Sequence, residues 1–494
     1  MQRQRPIFYN ALLLTFVNLL LRFVGTSFQV YLSGQIGAAG IGLLQLVMSV
    51  GSLSMVAGMA GIRTATMYLT AEELGKGKPK TVSWVLSGCF LYSVLFSSAV
   101  ATGVYYAAPW ICENWIGDIG ALGALRLFAA FLPTICLCGV MTGYFTAANR
   151  IRTLAVIEVA EQLCSIAVTA SLLTLWAGND SGRACQAVVL GSCIGGCLTL
   201  LCLVCFRIRE RTGISKRIPI ARRLCDAALP LAAADVLKSG INTTENLMVP
   251  KRLAQNRLVE NPLASFGVVS GMVFPVLMFP ACILFGLAEL LIPELARCAA
   301  AGSKARISYL VKKSLRVSML YGTLFCGLLF LLSEELCLQL YSNAEAGHFL
   351  RLYALLAPML YCDAITDAMT KGLGQQKVCV RYNILTSALD VIFLYFLLPE
   401  YGMMGYFVSF FLTHLLNFVL SLRRLLIITG ESIPFYIPAF TAAAALMAMI
   451  GASTFQGAFM KSASYIALLF SILYLLKVVS KEDLLWIKGL LYRK

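Results

Sequence analysis

The sequence predicts an all-α integral membrane protein with about 14 transmembrane helices, set as two six-helix lobes plus two C-terminal helices around a central cavity. Three observations carry this. Of 494 residues, 59% are apolar and 13% charged, with a mean hydropathy of +0.80; soluble chains run at roughly 45–50% and about 25%. Apolar runs of about 20 residues, each able to cross roughly 30 Å of hydrocarbon, recur from end to end. The basic residues gather in every second loop. Backbone polar groups in lipid must bond within their own segment, so the runs are read as helices. The short alternating segments of an outer-membrane barrel are not seen in the sequence.

The spans fall near 9–33, 39–69, 83–107, 119–146, 153–177, 184–206, 224–248, 263–295, 309–332, 347–371, 379–399, 402–421, 434–453 and 462–479. The second and eighth are long and contain Gly or Pro, which predicts bends. Connections are short. The first span follows basic residues, but its apolar run is too long for a signal-peptide core and no cleavage site follows, so it is read as retained.

Lysine and arginine set the direction. With a cytoplasmic N-terminus, thirty of the 40 basic residues fall on the inner side, seven of them between Arg207 and Arg223. The outer loops hold five: Arg183, Lys251, Arg252, Arg257 and Lys461. Both termini are therefore expected to be cytoplasmic. The net charge of +16 is this bias, suited to anionic membrane lipids rather than nucleic acid. Tyr105/Tyr106 and Trp110/Trp115 suit an outer interfacial belt. The last residues, KEDLLWIKGLLYRK, read as an amphipathic helix on the inner surface. The 17 cysteines scatter mainly through the spans as small apolar residues; Cys202 and Cys205 form a CxxC, but in a hydrophobic helix end with no second pair and no histidine nearby, so no cofactor or metal is expected.

Two ordered matches suggest a duplication. RLFAAFLP from Arg126 aligns with RLYALLAP from Arg351, and Arg22 of the first span aligns with Lys238 of the seventh. The expected division is an N-terminal lobe over 1–206, a basic cytoplasmic connector over 207–223, and a C-terminal lobe over 224–424. Two extra spans over 425–480 and the amphipathic tail over 481–494 complete it.

A charge at mid-bilayer costs at least about 2.5–3.5 kcal/mol and normally faces a cavity or a partner. Arg22, Arg63 and Lys238 are the candidate cavity cations, able to hold an anionic head group such as a pyrophosphate through fork or point charges. The competing reading pairs these charges with one another, Lys238 with Asp235 for example. Asp235, Glu245, Glu289, Asp363 and Asp367 are the candidate cavity acids or ion-coupling groups, for Na+ or H+. Glu158 and Glu161 read as inner-end residues of the fifth span, and Arg126 and Arg351 as outer-end residues of theirs.

The segments 37–78, 142–163, 228–253 and 266–280 give the chain a family likeness. Within them, GAAGIGLLQLVMSVGSLSMVAGMAGIRTATMYLTAEELGKGK, ALPLAAADVLKSGINTTENLMVPKRL and FGVVSGMVFPVLMFP are the most telling runs. They resemble the stage V sporulation protein B and polysaccharide-flippase branch of the multidrug/oligosaccharidyl-lipid/polysaccharide exporter superfamily, from about residue 9 to 480. The resemblance implies fourteen helices in two lobes, alternating access, and a lipid-linked saccharide or peptidoglycan precursor on polyprenyl pyrophosphate as cargo, in a bacterial cytoplasmic membrane. Departures occur where relatives usually have Pro and this chain has Arg63, and where they usually have Asp and it has Glu245. Thr142 and Thr146-Ala147 also replace a usual Arg and Gln-Gly.

Other functions fit less well. No GxxxxGK[ST] phosphate loop is present for a nucleotide-driven pump. The two histidines, His348 and His414, sit in no catalytic constellation, so no enzyme is expected. The alternative is a cation-coupled multidrug antiporter of the same superfamily, which would have fewer spans and a carboxylate-lined cavity. A monomer is expected.

Overall fold

The computed structural model describes residues 5–76, 81–178, 180–209, 221–432 and 436–476. Every regular element among them is helical. The middle of the basic connector and the expected amphipathic tail lie outside the described residues.

The first half comprises α1 (Arg5–Met59), α2 (Ile62–Gly75), α3 (Val82–Ile111), α4 (Leu122–Ala147), α5 (Ile151–Leu172), α6 (Ser181–Arg209), α7 (Ala221–Leu253) and α8 (Pro262–Val268). There follow α9 (Phe274–Met278), α10 (Ala281–Ala300), α11 (Lys304–Tyr341), α12 (Ala344–Ala354), α13 (Ala357–Gly372), α14 (Gln376–Thr429), α15 (Tyr436–Ser453) and α16 (Ala458–Leu475). Among the described residues, eight helices are long and apolar enough to cross a membrane, or ten if each bent pair counts as one span, against about 14 expected. Part of the difference is that α1 and α14 are each two rods, joined at Gly37 (φ 68°) and Gly402 (φ 57°).

The expected bends are present, and each has a local cause. The second span stops at Ala60 and Gly61, whose φ values are 41° and 72°, before α2 resumes. Left-handed backbone costs an L-residue roughly 1–2 kcal/mol, so glycine belongs there. A side chain on Gly61 would also strike the Ala228 carbonyl of α7. Tyr92 of α3 donates to the Ala60 carbonyl at 3.1 Å, satisfying an acceptor at the break. The eighth span breaks between α9 and α10, at Phe279 and Pro280. Carbonyls at such a break cannot stay unpaired in lipid. Tyr361 donates to Leu277 at 2.6 Å and Tyr321 to Pro280 at 2.8 Å. A further bend of 58° separates α12 from α13.

The helices form two compact units. One holds the residues up to Gly271 together with Asp390–Tyr406; the other holds Met272–Leu389 and the residues from Phe407 on. In the first, Ile62, Leu69, Val85, Phe145 and Leu203 belong to one buried apolar cluster. There α1 approaches α8 so closely that a side chain on Gly267 would meet the Ala38 carbonyl, the small-residue contact usual between helices in lipid. In the second, Ala444, Ala448 and Ala452 of α15 pack with Tyr465, Leu469 and Leu473 of α16.

Candidate functional site

The three cations singled out in the sequence all lie in the first unit. Arg22 is on the first rod of α1, Arg63 is in the first turn of α2, and Lys238 is on α7. None is covered by protein: all three are exposed. In an apolar helix such a charge needs water, a polar head group or a partner beside it. The three helices are held together locally. Thr243 of α7 donates to the Ser49 carbonyl at 3.0 Å, and Asn246 donates to the Ser49 hydroxyl at 3.0 Å. The Gly61 break brings α2 against α7.

Partners differ among the cations. Arg63 lies within electrostatic range of Glu158, which also feels Glu161. Glu161 accepts a bond of 2.6 Å from Thr199 of α6. Glu158 and Glu161, read from the sequence as inner-end residues, thus join a mixed-charge cluster with Arg63. Asp235 sits one turn before Lys238 and is exposed like it; among the described residues the two form no ion pair.

The acids sort into two groups, one in each unit. In the first unit, half-buried Glu245 of α7 shares a side-chain hydrogen bond with Asp390 of α14. Asp390 is 5% exposed and was not among the residues picked from the sequence. It is a lone carboxylate in the apolar run LTSALDVIFLYFLL, the same signal that marks Glu245. In the second unit, Asp363 and Asp367 lie four apart on α13. Asn417 of α14 donates its amide nitrogen to both carboxylate oxygens of Asp363, at 3.1 and 3.3 Å. Asp367 pairs with Lys371 at 2.5 Å and bonds Cys379. Asn417 was also missed: an amide in an apolar helix carries no charge to flag it. Glu289 is exposed on α10.

At the ends of the helices, Arg126 stands over the ring of Tyr105 at 5.2 Å. Arg351 pairs with Glu334 at 3.5 Å and stands over Phe330 at 4.8 Å. Each of these two arginines is thus held by neighbours on the helix that precedes its own, Arg126 by α3 and Arg351 by α11.

Known proteins place this architecture. Stage V sporulation protein B of Bacillus subtilis (strain 168) is 24% identical over 411 residues, which span 80% of this chain and 79% of that protein. The solved structure of the lipid II flippase MurJ, in an inward closed conformation, superposes with a TM-score of 0.72 at 13% identity, over 93% of this chain and 98% of that one. An inward-facing multidrug resistance MATE family transporter of the MOP superfamily gives 0.65 at 12% identity, over 85% and 100%. At these identities the structural likeness carries the fold alone. The family model for polysaccharide biosynthesis proteins matches residues 7–256, just over half the sequence. That stretch contains Arg22, Arg63, Lys238 and Glu245, and with it the chain belongs to the polysaccharide biosynthesis protein family.

Proposed function

We propose that the protein is a flippase that moves a lipid-linked saccharide or peptidoglycan precursor, carried on polyprenyl pyrophosphate, across the bacterial cytoplasmic membrane by alternating access. The observation that carries this reading is the exposure of Arg22, Arg63 and Lys238 on three packed helices of one unit. Such groups suit the phosphates of an amphipathic lipid whose tail stays in the bilayer. Family membership supports a role in building polysaccharide, and the structural relatives include a flippase for lipid II.

In this reading the cations take the pyrophosphate from the inner side, and the protein then presents it to the outer side. Both termini are cytoplasmic, as the loop charges indicate. The paired acids Glu245 and Asp390, and Asp363 with its partner Asn417, are the groups that would bind Na+ or H+ to reset the cycle. Asp235, Asp367 and Glu289 are further acids of that pathway. The division into six, six and two spans, from the RLFAAFLP and RLYALLAP match, belongs to the same proposal.

The test is transport by the purified protein in liposomes, with a fluorescent polyprenyl-pyrophosphate saccharide loaded in one leaflet. Movement lost in Arg22→Ala and Lys238→Ala is the expected result. If both variants flip at the wild-type rate, the cationic site is wrong. If no movement occurs but a cationic dye is exported with a cation gradient, the protein is an antiporter instead.

A further inference from the structure

An open groove of about 330 Å³ runs between α3 and α4. Its walls include Ser98, Thr102 and Tyr105 of α3 and Ala129, Ala130 and Pro133 of α4. These residues recur at helical spacing, so each helix contributes one face.

Arg126 lies one turn before Ala129 and Ala130 on the same face of α4. Its guanidinium sits 5.2 Å from the centre of the Tyr105 ring. Its Nε is buried and has no hydrogen-bond partner among the described residues. The same end of the helix pair carries Trp110 packed edge-on against Trp115 at 5.4 Å, and Tyr105 against Tyr106 at 5.8 Å. Tryptophan and tyrosine gather at the depth of lipid head groups. The half-buried Arg126 is thus set at the aromatic end of the helix pair, one turn beyond the residues that line the groove. The opposite end of α4 leads to Arg150 and Arg152. The groove therefore belongs to the leaflet away from the basic loops.

We propose that this groove is a binding site for one anionic phospholipid of the outer leaflet, with its phosphate on Arg126 and the upper part of an acyl chain between Thr102 and Ala130. The slot from Arg126 to Pro133 is about 10 Å long at 1.5 Å per residue, which suits an acyl segment rather than a long prenyl tail. Among the described residues no carboxylate forms an ion pair with Arg126. The site therefore keeps a positive charge, which favours a head group of net negative charge over a zwitterionic one. The site is independent of the cargo reading.

The experiment is native mass spectrometry of the delipidated full chain, titrated separately with phosphatidylglycerol, phosphatidylcholine and a polyprenyl phosphate. The first phosphatidylglycerol should bind at least about tenfold more tightly than phosphatidylcholine. Arg126→Ala should erase that preference and Arg126→Lys should keep part of it. Ala130→Leu, at an exposed position, should weaken binding by filling the slot. Thermal unfolding of each variant checks its fold, and if Arg126→Ala does not fold, Arg126→Lys and Ala130→Leu decide. Equal binding of the two phospholipids by the wild type, or unchanged binding by the folded variants, would overturn the site. Tighter, Arg126-dependent binding of the polyprenyl phosphate would replace the phospholipid with the carrier lipid.

Discussion

Asn417 holds Asp363 by donating its amide nitrogen to both carboxylate oxygens, at 3.1 and 3.3 Å, from a position that is 8% exposed. A buried hydrogen bond to a charged group contributes about 1.5–3 kcal/mol. Asn417→Ala should therefore lower the thermal unfolding temperature clearly. Asp363→Asn removes the charge but keeps the shape and one acceptor oxygen, so it should lower the unfolding temperature less than Asn417→Ala does. If Asp363 serves ion coupling, that same variant should lose the cation dependence of transport. Wild-type transport and cation dependence in Asp363→Asn would confine this pair to a structural role.

Glu245 and Asp390 form the corresponding polar contact in the first unit. Residues in direct contact couple by about 0.5–3 kcal/mol, whereas distant residues add. A double-mutant cycle with Glu245→Ala and Asp390→Ala should thus be non-additive in unfolding free energy. Additive losses would mean that the two side chains do not act as a pair. Glu245→Gln retains a hydrogen-bonding side chain and should be the mildest change of the set.

The break at Gly61 tests the backbone rather than a side chain. Gly61→Ala must adopt φ 72° and meet the Ala228 carbonyl. The left-handed conformation costs roughly 1–2 kcal/mol, and overpacking adds about 1–3 kcal/mol. Gly103→Ala is the control, because its side chain meets nothing within 4 Å in the middle of α3. It should be neutral or stabilising by up to about 1 kcal/mol. Equal unfolding temperatures for the two variants would show that the break tolerates a side chain.

The helical body was legible because hydropathy and loop charge are strong local signals; each expected span has a helical counterpart from α1 to α16. The bends at Gly61 and Pro280 were legible for the same reason, since glycine and proline act on the backbone within a turn. The site was only partly legible. Charges such as Arg22 and Lys238 stand out against apolar sequence, but their surroundings depend on residues far along the chain. Asp390 lies 145 positions from Glu245, and Asn417 lies 54 from Asp363. Arg63 read as a cavity cation, yet its neighbour Glu158 sits on α5 and tempers that role. Periodicity says which face a residue occupies, not which helix covers it.

The last two helices offer a prediction about docking. Tyr465 of α16 is fully buried, and its hydroxyl donates to the Thr323 carbonyl of α11 at 2.8 Å. Its ring occupies the space where a side chain on Gly327 would fall. Lys461, one turn earlier, pairs with Glu335 of α11 at 2.7 Å. The tyrosine is the deeper anchor, because an ion pair this exposed contributes at most about 1 kcal/mol. Tyr465→Phe keeps the ring and loses the bond, so it should cost about 0.5–1.5 kcal/mol. Gly327→Ala drives a methyl into that ring and should cost about 1–3 kcal/mol. Tyr465→Leu opens a gap beside Gly327, so the double variant Gly327→Ala/Tyr465→Leu should be more stable than the sum of its single losses. Thermal unfolding of the set in one detergent measures all four. A strictly additive double variant would show that α16 docks on α11 through other contacts, whereas rescue would locate the anchor at the Gly327–Tyr465 contact.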